Sequence, residues 1–336
     1  MQLKIKPIYT NILLCFFSIY LPLATYSTYI SFTFKREIPD KLMAKREQEE
    51  DIPQTINYLK KDYLPLYYPD VLLKKNKEID FYPIGTLPYQ KTYLCNEGYG
   101  LVTYKTDRFG LRNDDKVWEI VNKSENIFLI GDSYINGACV QEEFTISKLI
   151  AGYTGRNTIN LGSGSNGPYE YNAILKSLVH PILKTNKKEN IVAIIFYHND
   201  NLPKNNKKEN ILKSTNNIVK QSNSGAIEPT KSYESKIKNF IKGNFPTDKE
   251  EILNIISQKK QKNWRYTRLY FIATLKPIRN SLRKLLTKPL VEKSPTEKTI
   301  EELYKKCQNS CTPIIGFVPN SNFWRPYKYV VEYKNE

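Results

Sequence analysis

The sequence predicts an α/β fold built on a parallel sheet and joined to an N-terminal membrane anchor. From residue 125 onward the chain repeats an apolar run, a turn and an amphipathic helix, the pattern of parallel strands linked by crossover helices. The strand runs lie in NIFLIGDS, NTINLGSGSNGP and IVAIIFYHND, with TPIIGFVP as a last buried strand. In the helix after the second run, Tyr171, Ile174, Leu175, Leu178 and Ile182 fall at i, i+3, i+4, i+7 and i+11, one apolar face set against a sheet. At the other end of the chain no side chain from residue 7 to residue 34 is charged. The run ILLCFFSIYLPLATYSTYISFTF is long enough to cross a hydrocarbon core of about 30 Å.

Taken in order, residues 1–36 read as the membrane anchor, a transmembrane helix. Lys4 and Lys6 would also suit a cleaved signal peptide, but the apolar run exceeds an ordinary signal core and no A-x-A site follows. Residues 37–122 form a Tyr/Pro-rich extension whose segments LPLYYPD, YPIGTLPYQ and NEGYGLVTY predict irregular or short β structure packed on a core. Residues 123–336 hold the α/β domain, with a helix near 141–152 after the first strand and an insertion at about 201–290. The Lys/Asn/Ser-rich part of that insertion, to residue 262, predicts short helices or partial disorder.

The orientation of the anchor is open. Lys35, Arg36, Lys41, Lys45 and Arg46 outnumber Lys4 and Lys6, which by the positive-inside rule places the large domain in the cytoplasm. Cysteine usage argues for the other side: Cys95, Cys139, Cys307 and Cys311 are an even set outside the apolar run, able to form two bridges in an oxidising compartment. The expected location is a single-pass membrane protein with an extracytoplasmic domain. Cys307 and Cys311 also have the spacing of two zinc ligands on one helical face, but with two histidines in the chain and no second close cysteine pair the site lacks its other half.

The 336 residues carry a formal charge of +17, which raises the question of a nucleic-acid partner. Only ten of the 51 basic residues are arginine, the type suited to bidentate phosphate and base contacts, and no nucleic-acid module accompanies the charge. The lysines travel with asparagines in KKNK, NKKEN and NNKKEN, which reads as composition spread over solvated surface.

The stretch GSGSNG, residues 162–167, spells the dinucleotide fingerprint G-x-G-x-x-G. It does not stand in the first βαβ unit, and the next strand reaches an acidic residue only at Asp200, 33 positions after Gly167. No NAD and no other cofactor is expected. The exposed N-H groups of such a turn can stabilise negative charge on a substrate instead. FLIGDSYING, NLGSGSNGP and FYHNDN all sit at C-terminal strand ends, the edge where open α/β sheets build sites. They bring together Ser133 as a nucleophile, backbone donors from the glycine turn and the amide of Asn199, the parts needed for acyl transfer.

At these residues the chain resembles the SGNH, or GDSL-like, hydrolases, a family with a flavodoxin-like parallel sheet and helices on both faces. Gly131-Asp132-Ser133 with Gly137 resembles the first block of the family, which makes Ser133 the nucleophile and its N-H an oxyanion donor. Residues 160–168 resemble the second block, whose donor falls at Ser165 or at Gly164. His198-Asn199-Asp200 resembles the end of the third, with Tyr197 where the family has glycine and Asn199 as the amide donor. Asp132 is read as ordering the turn. NEGYGLVTYKTDRFGLRN, the pair Cys95 and Cys139, and FVPNSNFW resemble a membrane-anchored bacterial subset. The resemblance implies hydrolysis or transfer of an ester-linked acyl group on a carbohydrate or lipid.

The family's fourth block, D-x-x-H, has no counterpart, because after Asp248 the sequence holds neither aspartate nor histidine. The expectation is a chain that is C-terminally incomplete and weak or inactive as a catalyst, since a serine without a base is a poor nucleophile. His180 falls on the polar side of its helix, and strand alternation turns His198 away from the pocket if Asn199 faces it. The alternative is a non-catalytic, membrane-tethered glycan-binding or scaffold protein.

Overall fold

The computed structural model describes Ser18 and residues 57–69, 81, 83–94, 101–197, 218–246, 248–260 and 295–318. The chain divides into two compact units, Asp51–Leu253 with Glu292–Glu336, and Met1–Glu50 with Asn254–Val291. Everything below concerns the first. The apolar run of residues 7–34 lies, apart from Ser18, outside the described residues, and among the described residues no helix is long and apolar enough to cross a membrane.

The extension contributes β1 (Leu64–Pro65), β2 (Lys91–Tyr93) and β3 (Thr103–Lys105), joined in a small sheet in that order, and then α1 (Val117–Ile120). Next come β4 (Asn126–Gly131), α2 (Ser133–Asn136), a 3-10 turn at Glu142–Phe144, α3 (Ile146–Thr154) and β5 (Asn157–Gly162). A long helix follows as α4 (Pro168–Ile174), a π-helical segment (Leu175–Val179) and α5 (His180–Thr185). After β6 (Asn190–Tyr197) the described part of the insertion forms the hairpin β7 (Val219–Gln221) and β8 (Ile227–Pro229), then α6 (Lys231–Asn244) and α7 (Lys249–Lys260). The last pair is α8 (Pro295–Cys307) and β9 (Thr312–Val318).

The main sheet is parallel throughout, in the order β5-β4-β6-β9. All six residues of β4 are buried, as a central strand covered on both faces requires. Alternation divides its side chains. Phe128 and Ile130 join Ile159, Leu161, Val192, Ile194 and Phe196 in the main core beneath α4, α5 and α8, whereas Ile127, Leu129 and Ala193 form a smaller cluster with Ile135 of α2 and Ile150 of α3. Helices therefore flank both faces.

The five apolar positions predicted for the middle helix are all fully buried. The π segment adds a residue to one turn and brings Val179 and Leu183 onto the same buried face. Two expectations need correction. β9 is an edge strand with alternating exposure, Ile314 45% and Phe317 41% accessible, because β6 is its one partner among the described strands. The insertion is more ordered than its composition suggests: α6 places Tyr233, Ile237, Phe240 and Ile241 in the main core.

The asparagines are not surface filler either. In NKKEN, Lys187 and Lys188 are exposed while Asn186 and Asn190 are buried. The Asn126 amide donates to Asn190 Oδ1 at 2.7 Å and accepts from Asn157 Nδ2 at 2.8 Å, and Asn186 donates to Asn190 at 3.3 Å. This ladder satisfies the polar groups at the N-terminal edge of three strands, opposite the candidate site.

Candidate functional site at the C-terminal edge of the sheet

The order β5-β4-β6 means that the chain leaves β4 to one side and later returns past it to the other, and ligands of open α/β sheets bind at that switch. Gly131 of β4 pairs with Gly162 of β5. Ser133 and Gly164 each stand two residues beyond that pair, on adjacent strand ends, and Ser163 N donates to Gly131 O at 3.2 Å to keep the two exits together. Tyr134 packs its ring on Tyr197, 4.6 Å between centroids, so the end of β6 reaches the same rim. Asn199, like His198 and Asp200, lies outside the described residues.

Ser133 opens α2 and is half-buried. Asp132 is its N-cap, and its carboxylate accepts from Tyr134 N at 2.9 Å, which orders the turn. Gly164 is pressed against the Tyr68 ring, whose atoms lie 2.5 Å from where a Cβ would stand. Ser165 is exposed and holds φ +65°, the left-handed conformation that glycine takes without penalty. A glycine-type turn thus persists with serine in it. α4 then begins at Pro168, and Gly167 N donates to Glu170 Oε2 at 2.9 Å, so the chain's own buried carboxylate occupies the helix mouth that a pyrophosphate would need.

Behind these turns lies a hub that the sequence analysis did not single out, formed by TDRFGLRN in the extension. Asp107 is fully buried and accepts from the N-H groups of Phe109 and Leu111, from Trp118 Nε1 and from Asn113 Nδ2, each at 2.8 Å. Burial pushes its carboxyl up to about 6, against the opposing pull of these four donors. Asn113 in turn accepts from Asn160 N at 2.7 Å and donates to Asn160 O at 2.9 Å, acting as a strand neighbour for the edge of β5. The Asn160 side chain donates to Ile135 O at 2.8 Å and accepts from Gly162 N at 2.9 Å, tying α2 to the glycine turn.

Arg112 holds the other end of α2. It donates to Gly137 O at 2.6 Å, to Val140 O at 2.9 Å and to Glu142 Oε2 at 2.9 Å, with its guanidinium 4.6 Å from the centre of the Tyr104 ring. Asn136 donates to Gly162 O at 3.3 Å and accepts from Tyr68 Oη at 3.5 Å. The cavity left among Tyr68, Tyr104, Asn136 and Ser163 is about 10 Å³, room for at most one water. Burial raises the Tyr68 and Tyr104 phenols far above their ordinary value, which keeps both neutral. The tyrosines of the extension therefore back the serine turn. The sequence signal was present, a charged motif just before the first strand, but buried and exposed charges read alike in a sequence.

His180 does not approach Ser133. It lies 12 residues into a helix that starts at the site edge, about 18 Å along the axis. Burial and the nearby Lys306 and Lys184 lower its pKa. Cys307 ends α8 and forms a disulfide with Cys311 in the turn after it, so the two are not ligands on one helical face. Cys139 is disulfide-bonded as well, and Cys95 lies outside the described residues. Among the described residues no group of three metal-ligating side chains occurs. Comparison of the chain with family models, curated proteins and solved structures finds no match in any of the three.

Proposed function

We propose that this chain carries an SGNH-type serine site for hydrolysis or transfer of an ester-linked acyl group on a carbohydrate or lipid, in an extracytoplasmic domain tethered to a membrane. The observation that carries the reading is Ser133 on the first turn after the central strand, with the Gly164-Ser165 turn on the adjacent strand end and the two exits bonded through Ser163 N and Gly131 O. The strand order supports it, since β5-β4-β6-β9 is second-first-third-fourth in the sheet, the start of the flavodoxin-like order. The disulfide state of Cys139, Cys307 and Cys311 supports an oxidising location.

In this reading Ser133 Oγ attacks the ester carbonyl. The N-H groups of Ser133 and of Gly164 or Ser165, with the Asn199 amide, hold the oxyanion. His180 is too distant to take the serine proton, so the base comes from outside the described residues. Without a base in place, the oxyanion donors and binding alone leave an acceleration of about 10³ to 10⁴ over water.

Incubation of the detergent-solubilised full chain with a fluorophosphonate, followed by peptide mass spectrometry, tests the proposal. The expected result is an adduct on Ser133 that disappears in Ser133→Ala and slows in Asn199→Ala. Labelling spread over surface serines, or none on Ser133 at any pH from 6 to 9, overturns it.

A further inference from the structure

The largest cavity among the described residues lies away from Ser133, between the extension and the hairpin β7–β8. It measures about 650 Å³, within the range of small-molecule sites, about 300–1,000 Å³. Its floor is rigid. Arg108, with a side chain 8% exposed, grips Asp115 through Nε at 3.0 Å and Nη2 at 2.7 Å, and donates from Nη1 to Ile227 O at 3.2 Å. That grip joins the extension to the hairpin and leaves the Asp115 carboxylate, 31% exposed, at the surface of the groove.

Tyr89 stands on the wall. It is 49% exposed and holds φ +57°, a conformation that costs a bulky residue about 1–2 kcal/mol per position. Its N-H donates to Asp107 O at 3.2 Å and its hydroxyl points at Asp115 Oδ2, 3.5 Å away. A strained backbone that holds an aromatic ring half out of the protein is the kind of outlier that marks a ligand clamp.

The charges of the lining cancel in place. Lys220 pairs with Glu228 at 3.1 Å, and Glu119 lies 3.5 Å from Arg108 on the side away from Asp115. Lys123 and Lys231 are balanced by Asp115 and Glu234, so the lining as a whole is neutral. Such a surface offers donors and acceptors side by side without a net field. It suits a ligand whose groups both donate and accept, with C-H edges to lay on the negative face of an aromatic ring.

We propose that this groove is a carbohydrate subsite that takes a short neutral oligosaccharide, with Tyr89 as its stacking platform and Asp115 and Glu228 as acceptors for sugar hydroxyls. Its place in the reaction rests on the esterase reading above; the binding itself does not. Arg108 in the groove is flanked in sequence by Asp107, which reaches the serine side through Asn113, so one loop carries residues of both sites.

Saturation-transfer NMR on the full chain in detergent, with maltotriose and triacetylchitotriose as separate probes, tests the proposal. Transfer to at least one trisaccharide is expected, reduced at least tenfold in Tyr89→Gly and in Glu228→Ala, and unchanged in Ser133→Ala. Glycine relieves the positive φ, so the melting temperature of Tyr89→Gly should not fall, which separates lost binding from lost folding. Absence of transfer to either probe, or undiminished transfer in Tyr89→Gly, overturns the subsite. Transfer that vanishes in Ser133→Ala also overturns it, by placing the sugar at the serine. Failure of the fluorophosphonate experiment leaves this result untouched.

Discussion

Replacing Asn113 by alanine removes the piece that joins the buried carboxyl of the extension to the edge of β5. Three hydrogen bonds disappear, to Asp107 Oδ2 at 2.8 Å, to Asn160 O at 2.9 Å and from Asn160 N at 2.7 Å. Each contributes about 1 kcal/mol net, and an orphaned buried group costs about 1–3 kcal/mol more. Asn160 is fully buried, but Asn113 is only half so, and water entering its place offsets part of the loss. The expected destabilisation is about 3 kcal/mol. With a urea m-value of about 3 kcal/mol/M the midpoint falls by about 1 M. Urea titration followed by far-ultraviolet circular dichroism reads it. Asn113→Asp provides an internal check. It keeps the shape and the acceptor for Asn160 N, but turns a carboxylate oxygen toward Asp107 and Asn160 O, so at pH 8 it should be at least as damaging as alanine. At pH 5 one proton bridges the two carboxyls and part of the loss returns. A midpoint shift below about 0.3 M for Asn113→Ala, which is under 1 kcal/mol, would refute the argument that this side chain anchors the strand.

Asp107 gives a pH dependence of defined sign. Its native carboxyl titrates near about 6 and its unfolded one at the model value of 3.8, so between these values the native state holds the proton more often. Stability from this group is therefore greatest below pH 4 and is lost as pH rises to 6, by about 3 kcal/mol. Urea midpoints across pH 4 to 8 should show this component in the wild type and not in Asp107→Asn. Gly164→Ala drives a methyl into the Tyr68 ring, so fluorophosphonate labelling of Ser133 should fall at least tenfold, and the double variant with Tyr68→Ala should regain most of it. Arg112→Lys keeps the charge but loses the fork that holds Gly137 O and Val140 O. The labelling rate of folded protein should drop by about tenfold, equivalent to about 1.4 kcal/mol, while the melting temperature changes by a few degrees; equal rates would show that the α2 terminus does not depend on this side chain.

Much of the sheet was legible because its information is local. The runs around β4, β5 and β6 are short, apolar and bounded by glycine or asparagine, and the 3.6-residue period of α4 and α5 needs only its own neighbours to be seen. The serine turn was legible for the same reason, since a strand end, an N-cap and a left-handed cap at Gly137 occupy six consecutive letters. The partners were not. Asp107 and Asn113 meet Asn160 across 47 or more positions, Thr299 meets the Pro168 carbonyl across 131, and Arg108 meets Ile227 across 119. A charged residue in a sequence carries no mark of whether a strand edge or water will satisfy it; that depends on which distant segment folds over it. Tertiary structure alone decided that NKKEN buries its asparagines and exposes its lysines, that TPIIGFVP is an edge, and that the tyrosines of the extension stand behind Ser133. The reason is that burial belongs to pairs of segments, whereas periodicity belongs to one.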